Sequence, residues 1–228
     1  FTDGETLVPM VSSMDHKRAL DGDKGPNTGG MGAYSPAPIL PDDQLEAMAE
    51  ATVRPILRTL AKDGHPFVGV LYAGLMLTAQ GPKVLEYNVR FGDPECQPLL
   101  MRLTGDLPAI MLGAVRGRLN PAALGQKPQT ALGVVLTAKG YPGAYPKGLP
   151  ITGIAEAEAL PQVKVFHSGT SLKEGQLLST GGRVLCVTAL GDDLAQAQKA
   201  AYAAVERIHM PDSFCRRDIG DKGLRRLG

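Results

Sequence analysis

Residues 67–90 constrain the fold of this chain more than any other stretch. Residues 67–78 (FVGVLYAGLMLT) are almost continuously apolar, which predicts a strand buried on both faces. Residues 79–82 predict a turn and residues 83–90 a return strand. Because a strand sends successive side chains to opposite faces, Val84, Glu86, Asn88 and Arg90 are expected on one side, with Leu85, Tyr87 and Val89 on the other. Residues two apart on a strand stand roughly 7 Å apart at Cα. That spacing lets the Glu86 carboxylate and the Asn88 amide oxygen converge on one hard cation, for which magnesium with nucleotide phosphates is the natural candidate. Arg90 carries a permanent charge on a planar fork suited to phosphate or carboxylate. The same residues also fit the polar face of a half-solvated strand, with Arg90 paired to Asp93 or Glu95.

Composition narrows the classes of function. In 228 residues, Lys plus Arg number 24 against 23 Asp plus Glu, so no broad field recruits nucleic acid or an acidic membrane surface, and any phosphate site must be local. Cys96, Cys186 and Cys215 are widely spaced, which argues against a zinc knuckle and a disulfide framework and suits a reducing cytoplasm. No apolar run is long enough to span a bilayer, and no signal peptide pattern or internal repeat is present. The chain opens at Phe1, and Asp3-Gly4 is a hairpin signal followed by a strand-like segment 6–10. Only two residues precede that turn, so the expectation is that the first strand, and more, belongs to a longer protein.

Residues 11–38, rich in Gly, Pro, Asp and Ser, are expected to form a long functional loop rather than regular structure. Residues 41–62 predict a helix with acidic residues near its start, kinked at Pro55. Helices are expected over 98–103 and 106–119, and a linker over 120–129. Short strands follow at 131–138, 163–167 and 183–189; Asp192 is expected to cap a helix to about 209, and the basic tail 211–228 to be irregular.

Other motifs carry chemistry less directly. GPNTGGMG at 25–32 packs four glycines into eight residues, allowing close backbone approach to a ligand, yet it serves equally as a flexible surface loop. Its spacing matches neither a dinucleotide fingerprint nor a Walker loop. Asp15-His16-Lys17-Arg18 offers two fixed cations and an imidazole for phosphate contacts, although charged loops are commonly only solvated. His167 and GYPGAYPKG at 140–148 read as structural, and no GxSxG hydrolase context is present.

Taken with RFGDPECQ at 90–97, the segments GPNTGGMGAYSPAP, SMDHKR, LYAGLM, TAKGYPGAYPKG, FHSGT and GGRVLCVTALG make the sequence resemble the phosphoribosylamine–glycine ligase family, from Phe1 to about the end of the chain. The resemblance implies an α+β architecture. Residues 1–125 would be the later part of an ATP-grasp domain, its second lobe, and residues 126–228 a small mixed α/β C-terminal domain. The N-terminal domain and first ATP-grasp lobe of the family have no counterpart here.

The family joins glycine to 5-phosphoribosylamine through a glycyl phosphate, using ATP, in purine synthesis. By the resemblance, Glu86 and Asn88 match the metal-binding positions for Mg2+ or Mn2+, and Arg90 matches the arginine that steadies the acyl phosphate. Asp93 and Glu95 would orient incoming amines, Lys17 and Arg18 would reach phosphates, and Gly29, Gly30 and Met31 would shape the pocket for glycine and phosphoribosylamine. The implied partners are those substrates, ATP and the missing N-terminal portion, without nucleic acid or membrane. The chain alone is expected to bind ATP weakly at most and to lack ligase activity. Two other readings stay open: a non-catalytic remnant or interaction module that keeps the fold, and another ATP-grasp ligase of purine synthesis.

Overall fold

The computed structural model describes residues 1–228. In chain order, short strands β1 (Met14–Asp15), β2 (Arg18–Leu20), β3 (Lys24–Asn27) and β4 (Gly32–Ser35) precede helices α1 (Leu45–Thr52) and α2 (Arg54–Lys62). Strands β5 (Tyr72–Thr78) and β6 (Gly81–Asn88) follow, then α3 (Cys96–Arg102), α4 (Leu107–Val115), β7 (Thr130–Ala138) and α5 (Ile154–Glu158). Strands β8 (Val163–His167), β9 (Thr170–Lys173), β10 (Gln176–Ser179) and β11 (Arg183–Gly191) lead to α6 (Leu194–Val205), β12 (Ser213–Phe214) and α7 (Asp221–Leu227). These elements form two compact units. One comprises Phe1–Ser12, Leu40–Gly92 and Leu103–Lys127; the other comprises Ser13–Ile39, Asp93–Arg102 and Pro128–Gly228. No helix is long and apolar enough to cross a membrane.

The first unit packs Phe1, Val8, Ile110, Ala114 and Leu119 into a small core, with the Phe91 ring edge-on to Phe1 at 5.8 Å. The chain turns at Asp3-Gly4, but through four residues rather than the two of the expected hairpin, since Thr2 bridges Leu7. The Asp3 carboxylate accepts the backbone N–H groups of Glu5, Thr6 and Leu119, and Gly4 takes a left-handed φ of 103°. The strand expected over 6–10 does not form, because Thr2 makes only single bridges, one to Leu7 and one to Gly69. The expected kink is present: α1 ends at Thr52 and α2 restarts at Arg54 with Pro55 in its first turn, where a missing N–H costs nothing.

β5 and β6 pair antiparallel through the turn at 79–80, as expected, but β5 starts only at Tyr72. Gly69, at a φ of 129° and bridged to Thr2, ends the extended run before it. Nor is β5 buried on both faces: it is half-buried, with Met76 52% exposed, because the sheet has two strands and no covering layer on each side. Leu85 forms a bulge, since Gly74 pairs with Glu86 while Leu75 pairs with Val84. The extra residue moves Val84 to the face of Tyr87 and brings Lys83, not Val84, onto the face of Glu86 and Asn88. Tyr87 donates to the Thr52 carbonyl, which turns its face toward the helices and leaves Glu86 and Asn88 on the other.

The second unit is built on a six-stranded antiparallel sheet in the order β1-β4-β7-β11-β8, with β12 beside β4 on the same edge of β7. Segment 11–38 therefore is not an irregular loop. Its strand β4 can join the sheet because residue 32 is glycine: a Cβ on Gly32 would lie 2.7 Å from the Gly133 carbonyl oxygen and 2.9 Å from Ile219. Fully buried Ala197, Ala201 and Ala204 of α6 belong to the same core as Val134, Leu185 and Val187. The α6 cap is Asp193, one residue beyond the expected Asp192, with its carboxylate accepting Gln196 N–H at 2.8 Å; the helix ends at Val205 rather than near 209.

The tail 211–228 is ordered, against expectation. The Arg216 side chain is completely buried and pairs with Asp218 at 2.7 Å and Asp23 at 3.1 Å, while donating to the Arg18 carbonyl. A buried guanidinium with several partners fixes its segment in a way that composition does not reveal. His16 is buried as well, 1% exposed, with its Nδ1 3.3 Å from the Gly32 carbonyl and its ring tilted over Tyr34.

Burial, with the Arg216 and Lys222 cations nearby, pulls the His16 imidazole from 6.5 down to about 4. The folded ring stays neutral while that of the unfolded chain takes up a proton, so unfolding binds a proton between those values. His16 therefore contributes stability that is complete above its unfolded pKa and is lost as pH falls toward 4. Between pH 7 and pH 4.5 this single group is expected to account for about 2 kcal/mol of lost stability. Urea denaturation of wild type and His16→Gln across that range checks it: the variant should show a shallower decline by about that amount, and parallel curves would contradict it.

Candidate functional site

The candidate residues fall into two sets, one in each unit. In the first unit, the β6 register places Glu86 and Asn88 on one face, with Glu86 opposite Gly74 and Asn88 opposite Tyr72. Gly74 matters there, since a Cβ on it would press within 3.1 Å of the Glu86 Cγ. The absence of a cross-strand side chain gives the carboxylate room. Glu86 is exposed and Asn88 half-buried, so both present oxygen donors outward from a fixed strand. No group of three or more His, Cys, Asp or Glu side chains gathers anywhere in the structure to hold an ion by itself. A hard-oxygen pair of this kind suits a cation that keeps water and phosphate oxygens among its ligands, as magnesium does. Lys83 shares this face, and Arg90 lies exposed beyond the strand end, donating to the Phe91 carbonyl at 2.7 Å.

The second set surrounds residues 28–31 in the other unit. Lys17 accepts the Thr28 N–H at 2.7 Å through its carbonyl, the Thr28 hydroxyl caps Gly30 N–H at 2.9 Å, and Met31 N–H bonds to the His16 carbonyl at 2.8 Å. These bonds fold the glycine loop back on the DHKR segment. The Lys17 and Arg18 side chains are exposed; Arg18 donates to the Gly25 carbonyl at 2.8 Å and so braces the β2–β3 hairpin. Met31 is wholly buried among core residues and contributes to the loop through its backbone. Gly30 takes a left-handed φ of 122°, and a Cβ there would collide with Pro94 and approach Asp15 Oδ1 to 2.8 Å. The glycine loop and the segment 93–95 are thus in direct contact.

Three residues that sequence reasoning passed over organise this contact. Arg183, the first residue of β11, donates to the carbonyls of Gly29 at 3.0 Å and Asp93 at 2.8 Å and pairs with the Asp93 carboxylate at 2.8 Å. Tyr141 accepts the Gly29 N–H at 3.0 Å through its hydroxyl. Asp15, valued in sequence only for the cations beside it, accepts the His16 N–H at 2.6 Å. Burial, together with the nearby Glu95 carboxylate, pushes the Asp15 carboxyl up to about 7. Glu95 is itself only 3% exposed. Asp15 is thus placed beside the glycine loop as a carboxyl that can take or give a proton near neutral pH. The clearest sequence signal for this site is the density of glycines, since Gly29, Gly30 and Gly182 each admit a neighbour that a side chain would exclude.

Comparison with known proteins matches both parts of the chain. Residues 1–96 fit the model of the phosphoribosylglycinamide synthetase ATP-grasp (A) domain, and residues 131–222 fit that of the phosphoribosylglycinamide synthetase C domain. The phosphoribosylamine–glycine ligase of Agrobacterium fabrum is 51% identical over 226 residues, covering 99% of this chain and 53% of the relative. That of Vigna unguiculata is 51% identical over 218 residues, covering 94% of this chain and 70% of the relative. The chain spans about half the length of the bacterial relatives it matches. The crystal structure of the Thermotoga maritima phosphoribosylamine–glycine ligase superposes with a TM-score of 0.83 at 36% identity, over 95% of this chain and 53% of that one. The biotin carboxylase subunit of pyruvate carboxylase shares the fold at a TM-score of 0.59 and 12% identity, with 87% of this chain and 42% of that one covered. The architecture is therefore that of ATP-grasp enzymes followed by a C domain, and the chain belongs to the phosphoribosylamine–glycine ligase family.

Proposed function

We propose that this chain supplies the metal-side and acceptor-side part of an ATP-dependent carbon–nitrogen ligase that joins glycine to 5-phosphoribosylamine. Glycine takes the γ-phosphoryl group of ATP to give glycyl phosphate and ADP. The amine of phosphoribosylamine then attacks the glycyl carbonyl carbon, phosphate leaves, and the amine gives up a proton as the amide forms. The observation that carries this reading is the placing of Glu86 and Asn88 on one face of β6, opposite a glycine, in a chain of this family.

Glu86 and Asn88 would hold magnesium or manganese, whose charge screens the phosphate oxygens of ATP and polarises the γ-phosphoryl group. Arg90 offers a guanidinium fork to the acyl phosphate. Lys17 and Arg18 present exposed cations to phosphate oxygens, while Gly29 and Gly30, whose missing side chains admit Arg183, Pro94 and Asp15, shape the loop that carries them. Asp93 and Glu95 orient the amine nucleophile, with Asp15, near neutral in its pKa, placed to accept its proton.

Such a reaction needs an adenine-binding lobe as well. The exposed apolar residues of the β5–β6 hairpin, Met76, Leu85 and Val89, support its being covered by an earlier portion of a longer polypeptide.

The 228-residue chain alone is expected to show no formation of ADP from glycine, phosphoribosylamine and ATP, whereas the complete polypeptide carrying it turns over; turnover by the chain alone would contradict the division of labour. In the complete polypeptide, Glu86→Ala is expected to weaken magnesium-dependent ATP binding at least tenfold by titration calorimetry. An unchanged affinity would remove the metal assignment.

A further inference from the structure

We infer that Arg183 is a positioning residue that locks the glycine loop to the segment 93–95, and so sets the geometry of the acceptor side of the site. The inference rests on the ligase reading for what the two segments bind, but not for the contact itself. The guanidinium does more than pair with a half-exposed carboxylate. It is 20% exposed, and its Nη1 is shared between the carbonyls of Gly29 and Asp93 while its Nη2 holds the Asp93 carboxylate at 2.8 Å. One planar group therefore bridges backbone from two segments more than sixty residues apart in sequence, which a point charge such as lysine cannot reproduce.

The surroundings are built to admit it. A Cβ on Gly29 would lie 2.9 Å from Arg183 Cζ, so that position is open only because it is glycine. The same residue is held at its other end, the Gly29 N–H bonding to the Tyr141 hydroxyl. Tyr141 in turn lies over Gly182, where any side chain would collide with the ring. The Tyr141 hydroxyl and the Arg183 fork thus grip Gly29 through the peptide groups on either side of it. Gly30, with no Cβ, lets Pro94 and Asp15 close on the loop immediately afterwards. All of this comes from β11 and the 139–147 turn, which themselves hold no group aimed at a substrate in the ligase reading.

The kinetic signature follows from geometry. Loss of the fork lets both segments drift by a fraction of an ångström to an ångström, which costs reactions dependent on alignment about 10²-fold. In the complete polypeptide, Arg183→Ala is expected to lower kcat/KM for phosphoribosylamine by about 10²-fold, while the KM for ATP changes less than threefold. Arg183→Lys, which keeps the charge but not the bridge, should recover no more than about tenfold of the loss. Equal effects on all substrates, or full recovery by lysine, would overturn the positioning role.

A second readout does not depend on the ligase reading. In the 228-residue chain, hydrogen exchange of the backbone amides in 28–31 and 93–97 should speed at least tenfold in Arg183→Ala, with β7 amides unchanged. Unchanged exchange in both segments would overturn the clamp even if the enzyme is active. Faster exchange in a complete polypeptide that shows no ligation would uphold the clamp and reject the ligase reading.

Discussion

The close approach of two backbones at Gly32 and Gly133 is the constraint on which the second unit depends. A strand can pair with β7 at that point only if residue 32 carries no Cβ, since one on Gly32 would stand 2.7 Å from the Gly133 carbonyl oxygen. Gly133 is confined by other neighbours, not by β4: Cys186 Sγ, Thr188 Oγ1 and Pro98 Cγ lie 3.0, 3.1 and 3.4 Å from where its Cβ would be. Once β4 is seated, the residues on either side of it have little freedom. His16 N–H bonds the Gly32 carbonyl, Met31 N–H bonds the His16 carbonyl, and Val135 N–H bonds the Met31 carbonyl. The loop 28–31 hangs from that ladder, which explains how a segment with so many glycines keeps one shape.

Electrostatics differs between the two candidate sets. The Glu86 and Asn88 face of β6 carries the exposed Lys83 and Glu86, with Met76 and Tyr72 opposite on β5, and in the proposed reading its oxygen donors meet hydrated phosphates. In the other set Glu95 is buried and Asp15 half-buried, while Asp93 is exposed. Desolvation raises Asp15 toward neutrality, the range in which a group exchanges protons with an amine. Arg183 stands beside this cluster and spends its fork mainly on backbone oxygens and Asp93, holding position rather than lowering the Asp15 pKa to its ordinary value.

Much of this was legible in the sequence, and the failures have physical causes. Strand β8 matches the expected 163–167, and the α1–α2 break sits beside Pro55 as the proline demanded. Glu86 and Asn88 do share a face, because no bulge lies between them. Val84 does not join them, since the bulge at Leu85 depends on cross-strand register, which alternation along one strand cannot see. The glycine-rich 11–38 read as loop because glycine signals permissive backbone; the same permissiveness is what lets β4 enter a crowded sheet. The tail read as irregular because a buried Arg216 looks, in sequence, like any other charged residue. Arg183 escaped notice for a related reason: its partners lie 90 and 154 positions away, and only the tertiary fold brings them to one guanidinium.

The seating of β4, and the loop that hangs from it, rest on the close approach of Gly32 to the Gly133 carbonyl. The most direct measurement is equilibrium urea denaturation of Gly32→Ala in the 228-residue chain. The added methyl must push β4 away from β7, and a loss of about 2–3 kcal/mol in unfolding free energy is predicted. A variant within about 0.5 kcal/mol of wild type would contradict it, and would mean that the strand pairing, and the loop suspended from it, do not rely on that close approach.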